Sequence, residues 1–205
     1  LLKILTSLTG DMLFFLVDDI LFTEPVDLRD IVKFDPDEFV FSLRMGQNLS
    51  RCYVLQRPQA LPEFAAPPAQ SSDKMVWQWE KGELDWGYPL SVDGHFFARR
   101  EMTAMAVLLS FSAPNSFEDQ LQIFKPFFIN RRGIGYQKSR IVNIPCNRVQ
   151  TERKNLSGNI HPDELLEQWQ KGYQMDYKKF YGLVNESVHQ EIALSLIPRK
   201  TSEAK

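Results

Sequence analysis

The chain of 205 residues is 43% hydrophobic and 12% aromatic, which is enough to build one well-packed core. Its formal net charge of -2 gives no global attraction to nucleic acid or to an anionic membrane. No apolar run reaches the roughly 18 to 20 residues of a membrane-spanning helix. Two cysteines, Cys52 and Cys146, are typical of buried thiols in a reducing compartment, so we expect a cytoplasmic protein.

The first predicted elements are a helix and a strand. Apolar residues at helical spacing over residues 1–9, followed by Gly10, predict the end of an amphipathic helix. Because the chain begins inside that helix, we expect a fragment without the N-terminal part of its domain. The short apolar run at 12–17 predicts a strand buried on both faces. Asp18 and Asp19 follow it, where ligands bind in open α/β sheets, although such a pair also starts and caps turns.

Three further strands are predicted at residues 39–43, 92–98 and 141–144. With the first strand they predict an α/β protein, in which one mixed central sheet carries flanking helices. The proline-rich stretch 58–73 predicts a loop, as does the polar stretch 147–159. Residues 130–138 are basic and contain glycine but lack the full phosphate-loop pattern, which favours a hairpin-like loop.

Two groups of residues in the middle of the chain have alternative interpretations. Trp77, Trp79 and Trp86 could stack on a sugar ring or a base, but aromatic clusters more often form core. Asp93 and His95 lie on the same face of the predicted strand 92–98. They are either a hydrogen-bonded pair at a sheet edge or contacts for a ligand.

Helices are predicted in the second half of the chain as well. Residues 100–109 have helical spacing and should pack on the sheet, and residues 161–169 have a helix-start pattern. Between them, Asn115 or Ser116 caps a helix whose first turn holds Glu118 and Asp119, acids that the helix dipole favours without any function.

At the end of the chain, residues 185–192 predict a last short helix and residues 198–205 a charged tail. His189 within that helix is either a metal ligand or a structural histidine.

Together these segments resemble the C-terminal half of a GT-A-fold, nucleotide-sugar-dependent glycosyltransferase of the broad family 2 type. The resemblance covers nearly the whole chain and implies one catalytic domain over residues 1–197, without the first strands that hold the nucleotide base. It rests on four motifs in order: Phe15-Leu16-Val17-Asp18-Asp19, Trp86-Gly87-Tyr88-Pro89 through Asp93-Gly94-His95, Asn115-Ser116-Phe117-Glu118-Asp119, and Val188-His189-Gln190-Glu191.

The resemblance implies a divalent cation, Mn²⁺ or Mg²⁺, and a nucleotide-diphosphate sugar as donor. Asp19 would bind the metal, Asp18 the ribose or the metal, and His189 would be a third protein ligand. Trp86 and His95 would belong to the donor-sugar side. Oxygen ligands with open positions suit these cations when they also bind phosphate.

An inverting transferase also needs a carboxylate that takes the proton of the acceptor hydroxyl, on a glycan or another molecule. Glu118 or Asp119 is the candidate, with Asp93 as the second choice or as a donor-sugar contact. Two other classes remain open. A carbohydrate-binding module would use the three tryptophans, and a metal-dependent hydrolase would use the same acids with water as nucleophile.

Overall fold

Helices and strands alternate along the chain in this computed structural model, which describes residues 1–68, 72–146 and 160–199. The expected loop at 147–159 lies outside the described residues, as does most of the expected tail. The α-helices of the described ranges are α1 (Leu2–Ser7), α2 (Leu28–Ile31), α3 (Arg99–Leu108), α4 (Pro114–Leu121), α5 (Lys125–Phe128) and α6 (Pro162–Gln170). The strands are β1 (Met12–Phe14), β2 (Ile20–Phe22), β3 (Phe39–Ser42), β4 (Arg51–Cys52), β5 (Arg57–Pro58), β6 (Lys74–Gln78), β7 (His95–Ala98), β8 (Arg132–Tyr136), β9 (Ile141–Asn143), β10 (Tyr173–Met175) and β11 (Leu196–Pro198). Short 3₁₀ helices lie at Trp79–Lys81, Leu84–Gly87, Gln122–Phe124 and Tyr177–Phe180.

Five of these strands form one mixed sheet in the order β1-β7-β3-β8-β6. β3 runs parallel to β8, and the other neighbouring pairs are antiparallel. At the centre of the sheet, Phe41 of β3 pairs with Phe96 of β7 on one side and with Ile134 of β8 on the other. The prediction of an α/β protein with a mixed central sheet and flanking helices is confirmed.

Apolar side chains cover both faces of this sheet, because alternate residues of a strand point to opposite sides. On one face, Val40 and Phe97 belong to the same buried cluster as Met102 of α3 and Phe117 of α4. On the other face, Phe41 belongs to a second cluster that includes residues of α2 and β9. Burial on both faces explains why β3 and β7 read as continuous apolar runs.

The first strand is shorter than predicted and lies at the edge of the described sheet. β1 spans Met12–Phe14 and pairs with β7 alone among the described strands. The chain then leaves the sheet, since the Phe15 carbonyl accepts a hydrogen bond from Gly94 and residues 18–19 form a turn. The prediction of a strand over 12–17 buried on both faces is therefore wrong. β1 contacts both core clusters, but Met12 and Phe14 are only partly buried at the edge, and the turn lets the two aspartates meet water or polar partners.

The strand predicted at 141–144 exists as β9 but does not join the main sheet. It pairs antiparallel with β2, so that Ile20 lies opposite Asn143. The prediction that all four strands share one sheet is therefore wrong for β9. The chain leaves the main sheet after β1, so β2 lies outside that sheet and is the partner of β9.

The sequence does not predict β6 and β8, although both belong to the main sheet. β8 occupies the stretch 130–138 for which a hairpin-like loop is predicted, and that prediction is wrong. Its Gly133 lies against the indole of Trp77, where a Cβ would be 2.1 Å from Cε2 of the ring. A Cβ on Gly135 would be 2.8 Å from a backbone oxygen of β3. These glycines allow close packing within the sheet and do not form a turn.

Three predicted helices are confirmed with small shifts of their ends. α1 lies within residues 1–9, α3 begins one residue before 100–109, and α6 covers 162–170. α1 packs against α3, which in turn packs on β1 and β7. The helical layer beside the sheet is thus built from the apolar periodicity of the sequence.

The last short helix predicted at 185–192 does not form. The Asn185 side chain donates to the Ser187 carbonyl two residues on at 2.7 Å, and the Ser187 hydroxyl accepts from the N–H of Tyr53, far away in the chain, at 3.0 Å. Such side-chain to backbone bonds compete with helical hydrogen bonding. The 185–192 segment instead runs beside β9, where His189 forms a parallel bridge with Asn143.

The end of the described chain contains a strand pair that the sequence does not predict. β11 pairs antiparallel with β10, so the expected boundary between domain and tail at residue 198 falls inside a strand. Among the described residues, no helix has the length and apolar character to cross a bilayer. Cys52 and Cys146 are both buried and free, as predicted.

Candidate functional site

A buried guanidinium lies among three carboxyl groups at the end of β3. Arg44 is 6% exposed, and its Nη1 donates to the Ser91 hydroxyl at 2.5 Å. The same nitrogen lies 3.6 Å from Asp93 Oδ2, and Nη2 lies 3.7 Å from Asp85 Oδ1. Arg44 also lowers the pKa of the Glu118 carboxyl. Because an isolated buried charge costs several kcal/mol, Arg44 and these acids depend on one another.

Asp93 lies in the turn before β7, not on the strand. Gly94 has a φ of +82°, a left-handed conformation that favours glycine, and a Cβ there would be 2.3 Å from a side chain of β9. Its N–H donates to Phe15 and its carbonyl accepts from Leu43. The turn therefore holds Asp93 where β1, β3 and β7 meet. The prediction that Asp93 and His95 share a strand face is wrong, because Asp93 precedes the strand.

Asp19 approaches this group from the turn between β1 and β2. Asn143 Nδ2 donates to Asp19 Oδ1 at 2.7 Å, and the Ile144 N–H donates to the Asp19 carbonyl at 2.8 Å. Burial, together with the smaller effects of the Asp93 and Asp18 charges, raises the pKa of Asp19 to about 6. Asp19 is therefore close enough to Asp93 for the two charges to interact.

Glu118 lies on α4 beyond the first turn of that helix. α4 begins at Pro114 with Ala113 as its N-cap, and the Ser116 hydroxyl accepts from the Ala113 N–H at 2.9 Å. The prediction that Asn115 or Ser116 is the cap is wrong, because the proline takes the first helical position. No acidic residue lies in the first turn, so the helix dipole does not explain Glu118.

The Glu118 carboxylate faces the polar group around Arg44. Its Oε1 accepts from the Val92 N–H at 3.2 Å. Burial raises the pKa of Glu118 and the charge of Asp93 raises it further, whereas Arg44 and the Ser91 hydroxyl lower it. The next residue along the helix, Asp119, is exposed. Of the two acids proposed at this helix start, Glu118 is therefore the one that lies near Asp93.

His189 reaches the same place from the 185–192 segment. Its Nε2 lies 3.6 Å from Asp93 Oδ2. Burial, together with the smaller effect of the Arg44 charge, lowers the pKa of His189 to about 3. The segment is held in place by Asn48, whose Nδ2 donates to the Asn185 carbonyl at 2.6 Å. Asp93 thus lies between a buried arginine and a neutral histidine.

The structure therefore brings together Asp19, Asp93, Glu118 and His189, which the sequence analysis places in one site. Asp93 is the common member and is 7% exposed. Burial raises the pKa of Asp93 and the charge of Arg44 opposes this. We call Asp85, Asp93 and Glu118 around Arg44, together with Asp19 beside Asp93, the acid cluster.

The residues expected on the donor-sugar side lie in the core. Trp86 is 0% exposed, and its ring centroid is 5.1 Å from that of Trp77, which is 4.8 Å from that of Trp79. We call these three residues the tryptophan cluster. His95 is 1% exposed, and its Nδ1 donates to the Pro89 carbonyl at 3.1 Å. Rings enclosed in this way have no face open to a sugar, so the core interpretation holds and the basis for a carbohydrate-binding module is lost.

The expected metal ligands do not form one closed set. Among the described residues, no group of three or more His, Cys, Asp or Glu side chains is placed to hold a metal ion. His189 lies against Asp93, whereas Asp18 is exposed. Asp19 is partly exposed and Asp18 beside it is exposed, so the aspartate pair is accessible to solvent.

Three residues that organise the acid cluster are not singled out by the sequence analysis. Arg44 stands directly after the core strand 39–43. A position at the end of a core strand is also what marks the aspartate pair, so the sequence offered the same signal for Arg44. Asn143 is a polar residue inside an apolar strand, which is a weaker signal. Ser91 has no sequence signal at all, because serine is common in loops.

The arrangement carries an excess of acid. Three carboxyl groups lie around one guanidinium and a fourth, Asp19, lies near Asp93, and burial raises the pKa of each of them. Such an excess attracts a proton, a divalent cation or positive charge that develops on a substrate. A carboxylate with a raised pKa is also a suitable general base near neutral pH.

Comparisons with known proteins assign no family to this chain. It matches no protein-family model, no curated protein and no solved structure. The functional inference therefore depends on the acid cluster itself.

Proposed function

We propose that the protein is a metal-dependent glycosyltransferase of the GT-A type, which moves a sugar from a nucleotide-diphosphate donor to an acceptor hydroxyl. The observation that carries the proposal is the convergence of Asp19, Asp93 and Glu118 from three separate elements. The mixed α/β sheet and the position of the aspartate pair in the turn between β1 and β2 agree with that class of fold.

The aspartate pair is the metal side of the proposed site. The raised pKa of Asp19 reflects burial and repulsion from Asp93 and Asp18, so a divalent cation beside it would favour the ionised form. Mn²⁺ and Mg²⁺ prefer oxygen ligands and leave positions for phosphate oxygens. Bound there, the cation would stabilise the charge that develops on a departing diphosphate.

Glu118 is the general base of the proposed reaction. Burial raises its pKa toward the range in which a carboxylate accepts a proton efficiently, while two hydrogen-bond donors, Val92 N–H and the Ser91 hydroxyl, hold it in place. Asp93 is flanked by Arg44 and His189 and is better placed to set the charge of the site than to meet an acceptor. Cys52 and Cys146 are free thiols, which agrees with a cytoplasmic enzyme.

The binding test is a thermal-unfolding screen of the protein at its full natural length. UDP, GDP and dTDP are each added with and without Mn²⁺, because a ligand that binds the folded state raises the melting temperature. We expect one diphosphate to stabilise the protein only when Mn²⁺ is present. Asp19→Asn should lose this response, and the exposed change Glu80→Gln should keep it. A protein that responds to none of the three, or an Asp19 variant that responds like the wild type, contradicts the proposal.

The catalytic test uses Glu118→Gln, which keeps the size of the side chain and removes its basicity. Transfer from the donor found in the screen should slow by about 10² to 10⁴, with donor binding near normal. Asp119→Asn is the matched control and should transfer at nearly the wild-type rate. Product analysis separates a transferase from a hydrolase, since only the transferase makes a glycoside from an added acceptor. A wild-type rate in Glu118→Gln removes Glu118 from the mechanism.

A further inference from the structure

We propose that Ser91 is a positioning residue, which uses its single hydroxyl proton to hold the Glu118 carboxylate in place beside Arg44. The inference rests on the proposed function only for the statement that Glu118 is the base. Ser91 itself is 0% exposed and lies in the loop before β7. Its hydroxyl therefore has protein partners instead of bulk water.

The Ser91 hydroxyl accepts two hydrogen bonds, and its own proton remains to be donated. A serine hydroxyl has two acceptor lone pairs and one proton to donate. The lone pairs accept from Arg44 Nη1 at 2.5 Å and from the Asp93 N–H at 3.2 Å. Since neither of these groups accepts a hydrogen bond, the remaining proton is available to the Glu118 carboxylate, with which the hydroxyl interacts.

Glu118 is surrounded by groups with opposite effects on its charge. Arg44 favours the ionised form, and Asp93 disfavours it. The Val92 N–H and the Ser91 hydroxyl also favour the ionised form, because a carboxylate accepts hydrogen bonds and a donor strengthens it. Asp93 also contacts Arg44, but it repels the Glu118 charge, whereas Ser91 accepts from Arg44 and favours the ionised form of Glu118. Ser91 therefore links the buried cation to the base.

The direct test is the pKa of Glu118, measured from its carboxyl ¹³C chemical shift over a pH titration. The signal is assigned by its loss in Glu118→Gln. Ser91→Ala should raise the measured pKa by about 1, which is a tenfold loss of the ionised fraction at a given pH below it. Ser91→Thr keeps a hydroxyl and should stay close to the wild type. Ser50→Ala changes an exposed serine and is the matched control.

The outcomes separate this inference from the proposed function. A raised pKa in Ser91→Ala that Ser91→Thr restores supports the positioning role, whatever the transfer assay finds. The same pKa in wild type and Ser91→Ala overturns it, as does an equal rise in Ala and Thr variants. If Ser91→Ala does not fold, Ser91→Cys replaces it, since a thiol is a weak donor and the same rise is expected. Where transfer is measurable, the acidic limb of its pH profile should move with the measured pKa, and a limb that stays in place removes Glu118 as the base but leaves the link to Ser91 intact.

Discussion

The tryptophan cluster and the acid cluster both gather residue types that binding sites use, but they form for opposite reasons. The three indoles come from one short stretch of sequence and are at most 1% exposed, so burying their apolar area is favourable without any ligand. The carboxyl groups come from four separate places in the chain and gather although like charges repel. An arrangement that costs stability is the better indication of function, because packing alone does not produce it.

The largest expected effect tests whether the tryptophan cluster is purely structural. Trp86→Ala removes a side chain that is 0% exposed and should lower the free energy of unfolding by about 3 to 5 kcal/mol, measured by urea denaturation. The control is Trp169→Ala, since Trp169 is 53% exposed and should change stability far less. Equal losses in the two variants would mean that the buried indoles contribute no more than a surface ring.

A somewhat smaller loss of stability is expected when Arg44, the buried positive charge of the acid cluster, is replaced. Arg44→Met leaves buried carboxyls without a counter-charge and should lower the free energy of unfolding by about 3 kcal/mol at pH 8. Without Arg44, the pKa of Asp93 and Glu118 rises further in the folded state, which then binds more protons than the unfolded chain. Stability of the variant therefore falls as pH rises, and the defect should shrink at pH 5.

Urea denaturation at both pH values measures this difference. Arg29→Met is the control, because the Arg29 side chain is 88% exposed and its loss should be small at either pH. A defect in Arg44→Met that does not depend on pH would show that the arginine contributes packing and not charge.

The smallest expected effect is a gain in the free energy of unfolding, caused by Asp19→Asn. The pKa of Asp19 is 3.8 for the isolated side chain and about 6 in the folded protein. Between these two pH values the folded state therefore holds a proton that the unfolded chain has released. Stability linked to that proton is present below 3.8 and is lost as pH rises through about 6. Asp19→Asn should therefore be more stable than wild type at pH 8, by about 1 kcal/mol or less because the group is partly exposed.

At pH 4 the stabilising effect of Asp19→Asn should disappear. Thermal unfolding at pH 4 and pH 8 in the presence of EDTA measures it without interference from metal ions. Glu80→Gln should leave the pH dependence unchanged. A variant that is less stable than wild type at pH 8 would mean that the bond from Asn143 outweighs the repulsion in the cluster.

Local pattern predicts the sheet centre and the helices, but not how distant strands pair. β3 and α3 follow from apolar runs and helical spacing, which depend on neighbouring residues. β8 is hidden because Gly133 suggests a turn, whereas the glycine is needed for the approach of Trp77. The separate pairing of β9 with β2 depends on residues more than a hundred positions apart, and no local pattern encodes that choice.

In the candidate site, too, some residues can be predicted from the sequence and others only from the fold. Asp19, Asp93 and Glu118 stand out in the sequence because each is an acid within a predicted element or at the end of one. Arg44 is marked only by its place after a core strand and Ser91 by nothing, because their contact forms only when β3 meets the loop before β7. The sequence thus indicates which acids to consider, and the fold indicates what holds them.

The dependence of the site on the 185–192 segment has a consequence for the order of folding. Asp19 bonds to a residue 124 positions away, and Asn48 anchors the segment across 137 positions. Contacts of such separation form slowly, because long loops must close before they contribute any free energy. During synthesis from the N-terminus, the central strands can collapse while His189 is still in the ribosome, so the acids face water until the segment emerges and docks. A chain that ends before residue 185 would therefore keep much of its apolar core but lack His189 beside Asp93.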